Sequence, residues 1–319
     1  MHAVVERLLR RRGWLPRVLP YVGYGTDGWV RVLGRVLLTP PGTRRRDVER
    51  GRGWRRFFCA TANGVPVTIE INGTVHQVTS GRGGYIDEVV EAVLPAGWAT
   101  AHLSAQGCAQ ADAPLRVVSP TARIGIVSDI DDTVVITAMP RPLVAAWNTM
   151  MLPEASRRAV PGMAELYESV LAQDEDAFVV YVSTGAWNVA PALSDFLARH
   201  GFPHGPLLLT DWGPTADSWF RSGRGHKRTQ LLRLMAELPQ LTWVLIGDDG
   251  QHDPDLYAEA VAACPGRVSA VLIRQLTAAQ QVLTHGTPEP LPEKAPAPSA
   301  PELRAPDGYA LLAKLRARA

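Results

Sequence analysis

The chain has 319 residues, 46% of them hydrophobic and 20% charged, with a formal net charge of +2. That balance excludes a disordered chain, and no stretch approaches the ~18–20 unbroken apolar residues of a membrane span. Cys59, Cys108 and Cys264 are too few and too widely spaced for a disulfide framework or a zinc site.

The length predicts two domains. No clean apolar segment with a cleavage site follows the basic N-terminus, so no signal peptide is expected and a reducing cytoplasm is the expected compartment. Charge is unevenly spread. Residues 1–60 hold fourteen Arg against Glu6, Asp27, Asp47 and Glu49, a balance of +10, so the remainder carries −8. Within the first segment Val4, Val5, Leu8 and Leu9 share one helical face, with Arg7, Arg10 and Arg11 on the other. Such a helix docks on its own domain or lies on a membrane. The densest basic run is Arg44 to Arg56, with seven Arg. It suits anionic lipid or nucleic-acid phosphates, or is a solvated loop; anionic membrane is the expected peripheral contact, and no nucleic-acid partner is expected.

From about Trp29 to Val118 the pattern predicts strands. Val65-Pro-Val-Thr-Ile-Glu-Ile71 alternates cleanly and turns at Asn72-Gly73, a hairpin signal. A small β-sandwich fits this region best.

The second half alternates strand and helix. Ile124–Ser128, Phe178–Val182, Pro206–Thr210, Leu241–Ile246 and Ser269–Ile273 read as buried strands. Helices are predicted at Val189–His200, from His226 to about Leu238, and at Pro254–Ala263. That order defines an α/β fold with a largely parallel sheet, helices on both faces and right-handed crossovers. Between Val134 and Val160 lies an insertion made apolar by Leu143, Val144, Trp147, Met150, Met151 and Leu152, suited to covering a site or to helix packing. Thr284 to Pro306 is Pro/Ala-rich and reads as a linker or disordered tail. Tyr309–Arg318 is predicted as a short terminal helix. The expected domains are therefore 1–119, 120–283 and a 284–319 tail.

Acidic groups stand where such folds keep their chemistry, beyond the carboxyl ends of the strands. Asp129-Ile-Asp131-Asp132-Thr133 follows the first core strand. Asp129 and Asp131, two residues apart, point the same way on an extended chain. Two converging carboxylates can hold Mg²⁺, or one can attack a phosphoryl group while the other handles the proton. Ser183-Thr184-Gly185 follows the second strand. His226-Lys227-Arg228 is placed at a helix start, where cations oppose the macrodipole and call for an anion. Asp248 and Asp249 follow the fourth strand. Asp253, before Pro254, fits an N-cap as well as a metal ligand.

The order Asp-x-Asp, Ser/Thr, Lys, Gly-Asp-Asp fits an aspartate-nucleophile phosphoryl-transfer site. In that reading Asp129 attacks phosphorus, Asp131 serves the leaving oxygen and then water, and Ser183 and Lys227 hold phosphoryl oxygens. Asp129, Asp131, Asp248, Asp249 and Asp253 are the candidate Mg²⁺ ligands. A phospho-receiver would place its acceptor on a later strand, and no sugar-nucleotide pocket signature accompanies the Asp-x-Asp.

In these motifs the sequence resembles the haloacid-dehalogenase-like hydrolases, and within them the actin-patch-protein family of phosphatidate phosphatases. The resembling strings are Asp129-Ile-Asp-Asp-Thr133, Ser183-Thr184-Gly185-Ala186-Trp187-Asn188, Gly201-Phe-Pro-His-Gly-Pro-Leu-Leu-Leu209, His226-Lys227 and Gly247-Asp-Asp-Gly-Gln-His-Asp-Pro254 with Tyr257. The short site motifs are shared by many phosphatases, and Trp187-Asn188 and Gly250-Gln-His-Asp-Pro254 are the strings specific to the branch. They span roughly residues 120–275. The resemblance implies a Mg²⁺-dependent phosphatase releasing phosphate from phosphatidate to leave diacylglycerol. A phosphatase for a soluble phosphomonoester, or a membrane- or partner-binding module with a vestigial catalytic half, are the alternatives.

Overall fold

The computed structural model describes residues 2–42, 60–136, 158–210, 216–250, 252–285 and 300–318; side chains of 2–4, 216–222 and 283–285 are not described. The chain forms two compact units, Met1–Pro120 and Thr121–Ala319. The Arg44–Arg56 run, Gln251 and the apolar residues of the insertion fall outside the described residues.

The first unit opens with helix α1 (His2–Arg11) and continues as strands β1 (Leu15–Pro20), β2 (Gly23–Gly25), β3 (Trp29–Thr39), β4 (Ala60–Thr61), β5 (Pro66–Ile71), β6 (Thr74–Thr79), β7 (Tyr85–Glu91), β8 (Gly97–Ala105) and β9 (Ala111–Val117). They form one connected sheet in the order β1-β3-β2-β9-β8-β5-β6, with β4 and β7 also pairing with β3. Pairing is antiparallel except between β2 and β9. The β5–β6 hairpin turns where Asn72 and Gly73 both take positive φ, +48° and +79°, which is why that dipeptide serves there. Alternate residues Val67, Ile69 and Ile71 of β5 join Val30, Val32 and Leu103 in a single core. Leu9 of α1 packs on this core with Trp14. Val5 and Leu8 of the same helix remain 45% and 48% exposed.

The second unit is built on strands β10 (Ile124–Ser128), β13 (Phe178–Ala186), β14 (Leu207–Thr210), β15 (Thr242–Asp248), β16 (Val268–Arg274) and β17 (Glu302–Ala305). Its order is β14-β13-β10-β15-β16-β17, parallel throughout. A separate short pair, β11 (Val135–Ile136) and β12 (Arg158–Ala159), flanks the insertion. The helices are α2 (Met163–Leu171), α3 (Ala190–Arg199), α4 (Ala216–Glu237), α5 (Asp253–Ala263), α6 (Ala278–His285) and α7 (Gly308–Arg316). β-Branched runs fill the central strands because both faces are covered. Gly125 lets Trp243 lie on β10: a Cβ there would come 2.6 Å from the indole ring.

Chain order runs outward from β10 to β13 and β14, then returns to β15 on the other side. The reversal opens a crevice beside β10 at the carboxyl ends of the strands, the usual ligand position in such sheets. Two local expectations change. Glu302–Ala305, read from composition as linker, is an edge strand paired with β16 from Val271↔Glu302 to Arg274↔Ala305. Leu303 and Ala305 alternate inward there, a pattern too short to stand out beside the prolines. Helix α4 begins at Ala216, ten residues before His226, so the His226-Lys227-Arg228 triplet is interior rather than at a helix start.

Candidate active site

Three strand ends supply the polar groups. β10 delivers Asp129 directly after Ser128, and the Asp129 N–H donates to Ile246 O of β15 over 2.9 Å. β15 ends on Asp248. β13 carries Ser183 near its end. α4 and α5 pack together and bring Lys227 and Asp253 to the same place.

Asp129, Asp248 and Asp253 are all buried, with carboxylate oxygens within 4.8 Å of one another, so the three can hold a metal ion. Buried Lys227 puts Nζ 2.7 Å from Asp129 Oδ1 and 2.7 Å from Asp253 Oδ1. The approach to Asp253 is an aligned hydrogen bond; the one to Asp129 is close in distance only, so Asp129 Oδ1 accepts no hydrogen bond. Asp253 Oδ2 is likewise buried without a hydrogen-bond partner. Two orphaned carboxylate oxygens in one dry cluster suit a hard cation, which takes oxygen ligands. Three carboxylates facing one ammonium leave two charges uncompensated if all ionise, which a divalent cation would balance. The donor set fits a hard divalent cation.

Electrostatics follow the same imbalance. Burial pushes the Asp129 carboxyl well above the ordinary carboxylate range; Lys227 opposes the rise, while Asp253 and Asp131 add to it. Burial does the same to Asp248, with Asp253, Asp129 and Asp132 reinforcing it. Burial alone would lower Lys227, but Asp129 and Asp253 outweigh it and hold the ammonium charged. The lysine therefore stays a cation, while burial holds Asp129 and Asp248 toward their protonated forms.

Thr133 Oγ1 lies 3.5 Å from both Asp129 Oδ2 and Asp248 Oδ2. Asp248 Oδ1 accepts from Gly250 N–H over 2.7 Å. Gly247 leaves room for Asp253: a Cβ would fall 2.6 Å from Asp253 Oδ2. Ser183 Oγ donates to Asp131 Oδ2 over 3.1 Å and accepts from Gly185 N–H over 3.0 Å. The hydroxyl thus fixes the Asp131 carboxylate beside the cluster.

Not every candidate converges. Asp249 follows the last residue of β15 and turns away; its Oδ1 accepts the Leu276 N–H at 2.8 Å, and it stands outside the three-carboxylate cluster. Asp131 engages Ser183 and is also outside that cluster. Asp253 is not an N-cap: the cap position of α5 is His252, and the Asp253 side chain takes Lys227 instead. His226 ring Nε2 contacts Leu208 O, and Arg228 pairs with Glu259 at 3.4 Å, both away from the cluster. Sequence reading passed over two buried supports, Tyr167, whose hydroxyl meets Ser128 Oγ at 2.5 Å, and Arg274 at the end of β16. The signal for Arg274 was the one that singled out Asp129: a charge at the carboxyl end of a core strand.

A parallel α/β unit with a buried acid cluster at its switch point is the class that fold and site define. Residues 124–275 match the family described as phosphatidate phosphatase APP1, catalytic domain. An uncharacterized protein of Schizosaccharomyces pombe is 29% identical over 154 residues, 48% of this chain and 25% of that one. Phosphatidate phosphatase APP1 of Saccharomyces cerevisiae is 25% identical over 162 residues, 50% of this chain and 27% of its own length. The match thus spans about a quarter of each curated relative. A carbohydrate acetylesterase structure from Xanthomonas citri, at TM-score 0.28 and 9% identity over 92% of this chain and 69% of that one, is too distant to carry an argument.

Proposed function

We propose that this chain is a Mg²⁺-dependent phosphatase that converts phosphatidate to diacylglycerol and inorganic phosphate, on a haloacid-dehalogenase-like scaffold. The observation that carries the reading is Asp129 at the end of β10, converging with Lys227, Asp248 and Asp253 inside the matched segment. The lipid substrate is taken from the family's description and from the named yeast relative.

In this reading an Asp129 carboxylate oxygen attacks phosphorus, a P–O bond to Asp129 forms and the ester P–O bond breaks. The Asp131 carboxyl gives its proton to the departing alcohol oxygen. Ser183 fixes that carboxyl through the 3.1 Å hydrogen bond. Water then attacks phosphorus, Asp131 takes a proton from it, and phosphate leaves with Asp129 restored. Lys227 stabilises the phosphoryl oxygens as charge shifts onto them, while the single Ser183 hydroxyl proton is spent on Asp131. Asp129, Asp248 and Asp253 would hold Mg²⁺, which supplies charge neutralisation and Lewis acidity.

A lipid substrate requires access to a bilayer surface. Among the described residues no helix is long and apolar enough to cross a membrane. Helix α1 offers a peripheral contact instead. Its Leu9 is used inward, but Val5 and Leu8 face out beside exposed Arg7 and Arg11, and Leu15 just beyond is 47% exposed. Exposed apolar side chains flanked by arginines suit an anionic interface, where attraction falls away within a Debye length.

The test is phosphate release from phosphatidate micelles and from a panel of soluble phosphomonoesters, with and without Mg²⁺. Mg²⁺-dependent release favouring phosphatidate is expected; activity confined to the soluble esters would replace the lipid reading, and none on either would remove the hydrolase. For the membrane contact, Leu8→Glu with Arg7→Glu and Arg11→Glu should lose co-sedimentation with anionic vesicles at low salt. Equal sedimentation by wild type and variant would discard α1 as the contact.

A further inference from the structure

Arg274 ends β16 and is 5% exposed. A guanidinium at such depth is costly unless its donors are met. Nη1 donates to the backbone oxygen of Asp132. Nε donates to Pro306 O and Nη2 to Gln280 Oε1, each over 3.3 Å. The backbone of the same residue is also engaged. Arg274 stands opposite Asp248 in the β15–β16 register, and its carbonyl accepts the Asp249 N–H at 3.0 Å.

We propose that Arg274 is a positioning residue for the phosphatase reaction: it clamps the loop after β10 to the loop after β15, and so fixes the direction in which Asp131 presents its carboxyl. The inference rests on the phosphatase reading above.

Asp132 is where the clamp acts. Its φ of +55° is left-handed, a conformation that disfavours a side-chain-bearing residue. Its N–H donates to Val135 O over 2.8 Å, closing the turn that follows Asp131. Its carbonyl receives the charged donor of Arg274, a stronger bond than a neutral donor gives. Arg274 holds the Asp132–Thr133 peptide, one beyond Asp131, and with the Asp132 N–H bound to Val135 O it pins Asp132 on both sides, which limits how the chain can turn the Asp131 side chain away from Ser183 Oγ.

The clamp is itself anchored by residues beyond the matched family segment. Pro306 follows β17, and Gln275 N–H donates to Ala305 O over 2.8 Å. Gly308 N–H donates to Pro161 O at 2.9 Å, where a Cβ on Gly308 would collide with the Gly162 backbone. The 300–318 segment thereby supports a catalytic loop that it never enters.

A residue acting through the general acid has a signature that a merely structural one lacks. Protonation matters most when the leaving group is a poor one. The experiment compares dioctanoyl phosphatidate with the same lipid carrying sulfur in place of the bridging oxygen, whose thiolate departs with little help. Arg274→Met should lower kcat on phosphatidate on the order of 10²-fold, as for loss of other general acids, and on the sulfur analogue by less than about fivefold. Half-saturation by Mg²⁺ should not move. Arg274→Lys keeps the charge but cannot span three oxygen acceptors, so it should show the same preference and is read if the Met variant fails to fold. Equal losses on the two lipids, or a shifted Mg²⁺ curve, would overturn the positioning role. Failure of the wild type to cleave either lipid would instead overturn the phosphatidate reading on which this inference rests, and this inference with it.

Discussion

The Lys227 ammonium donates a 2.7 Å hydrogen bond to Asp253 Oδ1, and both side chains are buried. The same nitrogen stands 2.7 Å from Asp129 Oδ1, so one cation faces an acid at a strand end and another at the start of α5. Lys227→Met should therefore affect stability as well as turnover. Removing one partner of a buried pair costs roughly 3 kcal/mol or more when the other charge is left uncompensated. Asp129, already raised by burial and held down only by Lys227, escapes that cost by retaining its proton, so its folded-state pKa rises further. A raised carboxyl contributes stability below its unfolded pKa that is lost as pH rises through the folded one. The Tm deficit of Lys227→Met should accordingly widen from acidic to alkaline pH, with turnover down about 10²-fold or more. A deficit independent of pH would show that Lys227 does not compensate these acids.

Neighbouring carboxylates should respond differently to metal. At about 100 times its Kd, a bound cation stabilises by about 2.7 kcal/mol. Mg²⁺ should raise the Tm of wild type and of Asp249→Asn by similar amounts, because Asp249 is spent on the Leu276 N–H. Asp248→Asn should lose most of that rise. A thermal titration decides it: a lost response in Asp249→Asn would place that residue among the ligands.

Asp174 predicts the opposite pH slope far from the acid cluster. Burial alone would raise its carboxyl, but the backbone N–H groups of Arg123, Ile124 and Asp176 donate to it at 2.6, 3.0 and 3.1 Å and hold it below the ordinary range. A depressed carboxyl contributes stability above its unfolded pKa that is lost as pH falls through the folded value. The Tm gap between wild type and Asp174→Asn should close on going from about pH 7 to about pH 3, across the carboxylate range. A gap that stays constant would remove the charge from the account.

Much of the site is legible in the sequence because its strands are short β-branched runs ending in acids. Asp129 and Asp248 carry that signature plainly. The misplaced groups have physical causes. Gly223-Arg-Gly225 reads as loop, yet α4 runs through both glycines because tertiary packing overrides their weak propensity. That hid how Lys227 finds its anions: from mid-helix, by packing against α5. Asp-Pro at 253–254 reads as a cap followed by a helix start, but α5 begins one residue earlier and frees the carboxylate for Lys227. Asp249 follows Asp248 directly, and successive residues on an extended chain point to opposite sides, so only one could face the cluster. Prolines masked the Glu302–Ala305 strand, and without it the anchoring of Arg274 to Pro306 is invisible.

The central claim is that Asp129 is the nucleophile of a phosphoryl transfer. Its most direct test is phosphate release from phosphatidate by wild type and by Asp129→Asn, both with saturating Mg²⁺ and with folding checked by thermal melting. An amide cannot attack phosphorus at a useful rate, so the variant should fold and release no phosphate above background. Release at near wild-type rate by folded Asp129→Asn would contradict the account.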